Sequence, residues 1–327
     1  YDPYRGFKNP SNFKSKHINT DEYGRRYSGE KKINEKKDVV IGLFGGSTIF
    51  GIAAEDDART IPGELQKIID GNCKKFTTKI INNGVGASNQ TQSMIWLIET
   101  LGFQKYDYVI FYDFVNETTF AYSELFNTSS FDQELPPRFL TYQYTYFISP
   151  QFTKPTLFKV TKYFKKTNSY QFSKIIYIKL KNFFLEKKDL SILSKKGIEQ
   201  DRKNQKIKKL VNNYKVNMEI INSLGKNYNF KSYFILQPTL FTKKQLSENE
   251  KTIPHLFDTN YINFEKKVYE AANRILKNKN NFFDFSNIFE EINSTIYIDD
   301  HHMSSKGNKI VAGNIFETLK KNDNFCN

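Results

Sequence analysis

One stretch constrains this chain more than any other: Val39-Val40-Ile41-Gly42-Leu43-Phe44, followed at once by Gly45-Gly46-Ser47-Thr48. Six residues without a polar side chain do not alternate, so a strand built from them is covered on both faces. That is the habit of parallel sheets, whose strands are joined by helical crossovers. Lys79-Ile80-Ile81-Asn82, Tyr108-Val109-Ile110-Phe111-Tyr112 and Ser232-Tyr233-Phe234-Ile235-Leu236 (closed by Pro238) read the same way, with a short strand at Phe282–Phe285. Between them lie helix signals. A helix over about 61–69 has Thr60 as N-cap and Pro62 in its first turn. One over 90–101 carries Met94, Ile95, Leu97, Ile98 and Leu101 at helical spacing. Others span about 203–226, about 260–277, and Ser304 to about Leu319. Strand and helix in alternation predict an α/β fold: a three-layer αβα sandwich with a mostly parallel sheet.

The 327 residues suit one domain with insertions. We expect the domain over 38–321, interrupted by an insertion at 117–230. Residues 1–37 read as polar, turn-rich loops, 117–153 as a long irregular connection through Pro136-Pro137, and 322–327 as a tail. Cys73 and Cys326 show no metal or disulfide spacing and read as incidental, leaving the redox compartment open. No run of 18 apolar residues offers a membrane span. The chain opens on Tyr1, and an upstream signal or anchor would have preceded it in an exported protein.

The net charge of +14 is local. Residues 154–215 hold 17 Lys and one Arg against Glu186, Asp189, Glu199 and Asp201, an excess that equals the whole. Phe158, Tyr163, Phe164, Phe172, Tyr177, Phe183 and Phe184 are interleaved with the lysines. The plain reading is a helical insertion with a solvated lysine face. Others are a basic cap holding an anionic substrate or polymer and an amphipathic surface for anionic lipid. Nucleic acid ranks last, because no nucleic-acid fold signature accompanies the charge.

Ligands of an open α/β sheet bind outside the carboxyl ends of its strands. Ser47 follows the first strand, Ala87 the second and Asn116 the third, and Asp299 and His302 precede the last helix. A serine hydroxyl is a weak nucleophile until a base takes its proton. Histidine is the usual base, and a carboxylate fixes its tautomer and stabilises its charged form. Spacing of three residues lets one turn supply both. Singly, each element has an ordinary reading: a turn, a capping residue, a solvated histidine. Asp300 and His301 flank the chosen pair, with Gly46 and Glu117 as neighbours beside the site.

Gly45-Gly46-Ser47-Thr48, Asn82-Asn83-Gly84-Val85-Gly86-Ala87, Val115-Asn116-Glu117 and Asp299-x-x-His302 resemble, in order, the four sequence blocks of the GDSL/SGNH hydrolase family. The resemblance covers roughly 38–120 and 230–321. Tyr1-Asp2-Pro3-Tyr4-Arg5-Gly6 and Asn19-Thr20-Asp21 resemble leaders of secreted or membrane-anchored members, which implies export or anchoring through an upstream segment and leaves a cytoplasmic location open. The resemblance implies an SGNH-type sandwich. It also implies Ser47, His302 and Asp299 as nucleophile, base and acid, and an oxyanion hole of Ser47 N–H, the N–H at Ala87 and the Asn116 amide. Three positions depart from the pattern: Gly46 stands for Asp, Ala87 for Gly and Glu117 for Asp. The Ala87 N–H serves only if the backbone there avoids positive φ. A Gly-x-Ser-x-Gly elbow is absent, since position 49 is Ile. The expected function is a serine esterase removing a small acyl group, acetyl foremost, from a carbohydrate or other small ester, without cofactor or metal. Alternatives are an O-acetyltransferase on the same site, a lipid-directed esterase, and a non-catalytic glycan-binding or assembly protein.

Overall fold

Five strands form one parallel sheet in the computed structural model, which describes residues 2, 4–6, 8–28, 39–126 and 192–326. They are β1 (Val39–Gly45), β2 (Thr78–Gly84), β3 (Tyr108–Asp113), β4 (Lys231–Leu236) and β5 (Phe282–Asp284). Their order is β2-β1-β3-β4-β5, and every neighbouring pair is parallel. This is the flavodoxin-like order of a doubly wound sheet. The helices are α1 (Ser47–Phe50), α2 (Ile61–Asn72), α3 (Gln90–Leu101), α4 (Val115–Phe126), α5 (Ile192–Tyr228), α6 (Thr259–Leu276) and α7 (Ser305–Asp323).

Both faces of the sheet are covered, as the apolar strands require. On one face Ile41, Leu43, Ile80, Ile110, Tyr112, Tyr233 and Ile235 join the apolar sides of α2 and α7 in a single cluster. The alternate strand positions point the other way. There Phe44 pairs in register with Phe111 and Phe111 with Phe234. Their rings stack at centroid distances of 5.3 and 5.6 Å. Thr60 Oγ1 accepts from Gly63 N–H at the start of α2. Asn89 and Gln92 form a reciprocal capping box on α3.

The chain divides into two compact units, residues 1–123 with 207–327, and residues 124–206. Of the second, the end of α4 and the first part of α5 are described. Residues 127–191 lie outside the described part, and with them most of the basic segment 154–215 and the expected Pro136-Pro137 connection. The expected irregular connection is a helix over 117–126. Its Thr and Ser residues are poor helix formers because their hydroxyls compete for backbone groups. Here the competition is absorbed within the helix. Thr118, Thr119 and Ser123 donate to the carbonyls of Phe114, Val115 and Thr119, four residues back.

Cys73 and Cys326 are not incidental: they form a disulfide. Spacing along the chain hid it, because the partners are 253 residues apart. They meet because α7 packs on α2, and each cysteine follows the end of one of these helices. Phe325 buries itself against Phe76 and Tyr108 beside the bridge. A closed loop this long removes much unfolded-chain entropy, on the order of 5 kcal/mol in the chain-entropy account. Reduction, or Cys326→Ser, is expected to lower unfolding free energy by about 2–5 kcal/mol, measured by urea unfolding with and without reductant.

Candidate active site

The strand order reverses direction between β1 and β3, so a crevice opens there at the carboxyl ends of the strands. Ser47 is the first residue of α1, directly after β1. Asn116 lies in the first turn of α4, directly after β3. The turn after β2 carries Ala87. Glycines set the approach. A Cβ on Gly84 would lie 2.2 Å from Phe50 N, so β2 can end against the backbone of α1 only without a side chain.

His302 reaches this crevice from the loop before α7. Its Nε2 lies 2.7 Å from Ser47 Oγ, joining residues 255 apart in sequence. Its Nδ1 lies 2.6 Å from Asp299 Oδ2. Asp299 Oδ1 also accepts the backbone N–H groups of His302 and His301, at 2.6 and 3.0 Å. Burial works against the Asp299 charge. The His302 ring and these two N–H groups outweigh it and hold the carboxyl well below its usual range. Such a relay can take a proton from the Ser47 hydroxyl while a fixed anion stabilises the imidazolium.

The loop is held from below by a fully buried ion pair, Lys243–Glu250. Glu250 Oε1 accepts from Ile296 N–H at 2.8 Å and Tyr297 N–H at 2.9 Å. Lys243 Nζ donates to Ser294 O at 2.8 Å. Leu240 N–H donates to Asp300 O, tying the loop to the end of β4. Gln237 Nε2 donates to Thr48 Oγ1 at 3.1 Å, linking β4 to the residue after Ser47.

Asn116 Nδ2 donates to Ser88 O at 2.7 Å, so the turns after β2 and β3 are bonded to each other. One amide hydrogen of Asn116 remains for a ligand. Ser47, as first helical residue, has no intrahelical acceptor for its N–H. Ala87 N–H donates to no acceptor among the described residues. Gly46 has a direct reason to be glycine. A Cβ there would stand 2.5 Å from Asn116 Nδ2 and 3.1 Å from Ser88 O. An aspartate at this position would displace the amide.

Two residues of this wall are strained. Ala87 sits at φ 64°, so the condition for its N–H to serve, a backbone outside positive φ, is not met, and Phe114 sits at φ 108°. The tight turn after β2 imposes that conformation on whatever residue stands at 87. Ala87→Gly is therefore expected to stabilise the fold by about 1 kcal/mol, measured by urea unfolding.

Glu117 does more than neighbour the site. Oε2 accepts from Phe114 N–H at 2.9 Å and Oε1 accepts from Gln90 N–H, so one carboxylate bridges both turns. Beneath it Asp113 is buried with neither oxygen hydrogen-bonded among the described residues. Burial and then the Glu117 charge push the Asp113 carboxyl well up. Burial raises Glu117 too, opposed by its backbone donors.

His301 and Asp300 form a second pair beside the first. His301 Nδ1 lies 2.8 Å from Asp300 Oδ1, and the two imidazole rings sit 4.0 Å apart. Burial lowers the His301 pKa, but the Asp300 hydrogen bond and charge raise it further, for a net upward shift. Glu265 is a buried carboxyl that sequence reasoning missed; it accepts from Thr239 Oγ1 at 2.6 Å. Its signal was present: Tyr261, Phe264, Val268, Tyr269 and Ala272 mark the buried stripe of α6, and Glu265 falls within it. Burial pushes its pKa up to about 7. The unfolded chain gives up that proton nearer 4.5, so this contribution to stability is full below that pH and lost as pH rises through 7. Glu265→Gln is expected to remove a stability loss on the order of 3 kcal/mol between pH 5 and pH 8, measured by unfolding at both.

Asp299, His301 and His302 are the His/Asp group compact enough to hold a metal ion among the described residues, with ligand atoms within 4.8 Å of one another. Both ring nitrogens of His302 are already engaged, which leaves that group short of a free ligand.

No family model and no curated protein matches the chain. Among solved structures, it is similar to the acetyl xylan esterase AlAXEase at 11% identity and a TM-score of 0.45, covering 86% of this chain and 100% of that one. A mutant of an acetylxylan esterase from Geobacillus stearothermophilus gives 11% and 0.44, covering 88% and 96%. The lipase/acylhydrolase from Enterococcus faecalis gives 12% and 0.44, covering 86% and 96%. Likenesses of this size carry no functional inference.

Proposed function

We propose that this chain is a serine-dependent ester hydrolase. The observation behind this reading is the 2.7 Å approach of His302 Nε2 to Ser47 Oγ, with Asp299 on the far side of the ring. Ser47 Oγ attacks the ester carbonyl carbon while its proton passes to His302 Nε2. Asp299, held ionised, stabilises the imidazolium. The carbonyl oxygen becomes an oxyanion and meets the Ser47 N–H and the remaining amide hydrogen of Asn116; Ala87, at positive φ, does not meet the condition set for its N–H. Collapse breaks the C–O bond, and His302 returns its proton to the leaving alkoxide. Water, deprotonated by the same imidazole, then frees the acyl group from Ser47.

The acyl group we propose is small, acetyl foremost, because the sequence carries no long apolar acyl-tunnel signature, and the alcohol a carbohydrate, by analogy with the family that the four sequence blocks resemble. The Cys73–Cys326 disulfide fits an oxidising compartment, as an exported enzyme would meet.

A fluorophosphonate probe is expected to label the wild-type chain and leave Ser47→Ala unlabelled. Hydrolysis of an aryl acetate and of an acetylated glycan should fall to background in Ser47→Ala. Asn116→Ala should lose about 10²–10³ in kcat, the usual effect of deleting one oxyanion donor. Equal rates in wild type and Ser47→Ala would end this reading.

A further inference from the structure

We infer that Arg26, from the segment before the sheet, is a positioning residue that clamps the nucleophile turn, and that catalysis depends on this clamp. The inference rests on Ser47 being the nucleophile. Helix α1 is one turn long, Ser47–Phe50. An isolated turn of this length is unstable, since nucleation fixes several residues for a single hydrogen bond. Its last carbonyls also lack intrahelical partners. Arg26 supplies them. Its Nη1 donates to Gly51 O at 2.7 Å and Phe50 O at 3.2 Å. Gly51 N–H in turn donates to Ser47 O at 2.9 Å, so the turn is closed on the residue that carries the hydroxyl.

The guanidinium is fully buried, yet every part of its fork is used. Nε donates to Asp57 Oδ1 at 2.7 Å and Nη2 to His17 O at 2.9 Å. A cation at a helix C-terminus also complements the carbonyl end of the dipole. Gly51 sits at φ 89°, and a Cβ there would lie 3.1 Å from Arg26 Nη1 and 2.3 Å from Thr60 Cγ2. The capping glycine is what lets the guanidinium close on the turn. Arg26 is itself held by antiparallel bridges to Thr20 and to Asn82 of β2. Asn9 Nδ2 donates to Gly84 O at the end of β2. Residues 8–28 thus touch both the nucleophile turn and the strand that leads to Ala87, without adding a strand to the sheet.

The test uses Arg26→Ala, Arg26→Lys and Asp57→Asn in the full chain, read by aryl-acetate kinetics, fluorophosphonate labelling rate and thermal unfolding. A displacement near 1 Å at a reacting group costs about 10²-fold. We expect kcat and labelling rate to fall by about that factor in Arg26→Ala, with KM within about threefold. Lysine keeps the charge but not the fork, so Arg26→Lys should lie between. Added guanidinium ion should restore Arg26→Ala and leave Ser47→Ala inert, a response that a general loss of stability does not give. A folded Arg26→Ala or Asp57→Asn with wild-type kcat overturns the clamp and leaves the esterase reading intact. Failure of all three variants to fold overturns it too, since the role is then structural. A wild-type chain that neither labels nor hydrolyses sinks both.

Discussion

The contact between Ser47 and His302 depends on one topological fact: the elements that carry them end on the same edge of a parallel sheet. Parallel strands all deliver their following loops to one side. The direction of winding changes between β1 and β3, so the loops there diverge and leave room for a ligand. The sequence separation of 255 between hydroxyl and imidazole is then no obstacle. The chain returns to that edge at each strand end.

What the sheet places coarsely, buried charge and strained backbone place finely. The Lys243–Glu250 pair lies out of water and is fully hydrogen-bonded to the loop that carries His302. Breaking such a pair strands a charge in the interior, so loss of either partner would destabilise the loop. On the other wall, Ala87 and Phe114 both hold positive φ, on either side of the Asn116–Ser88 contact. Strain of this kind persists only where surrounding bonds over-determine it. Glu117 supplies two of those bonds.

Much of this was legible in residues alone. The non-alternating strands predicted a parallel sheet, and the residues after each strand predicted where the crevice forms. The Asp299-to-His302 spacing allowed a single turn to carry both groups, and the structure brings both to Ser47. What could not be read depends on tertiary packing. Arg26 lies in a turn-rich segment with no period, and only the fold shows its guanidinium buried against α1. The helix at 117–126 was hidden because threonine and serine read as turn formers until their hydroxyls are seen bonded four residues back. The Cys73–Cys326 bridge was hidden because chain distance says nothing of which helices lie side by side.

That bridge has a further consequence. It turns everything from residue 73 to residue 326 into a covalent circle, with the sheet strands β2 to β5 and the whole of residues 124–206 on its circumference. A single peptide-bond cleavage anywhere on the circle opens it without releasing a fragment. A protease that nicks the inserted unit therefore leaves one molecule under oxidising conditions, with Ser47 and His302 still tethered, and two only after a reductant arrives.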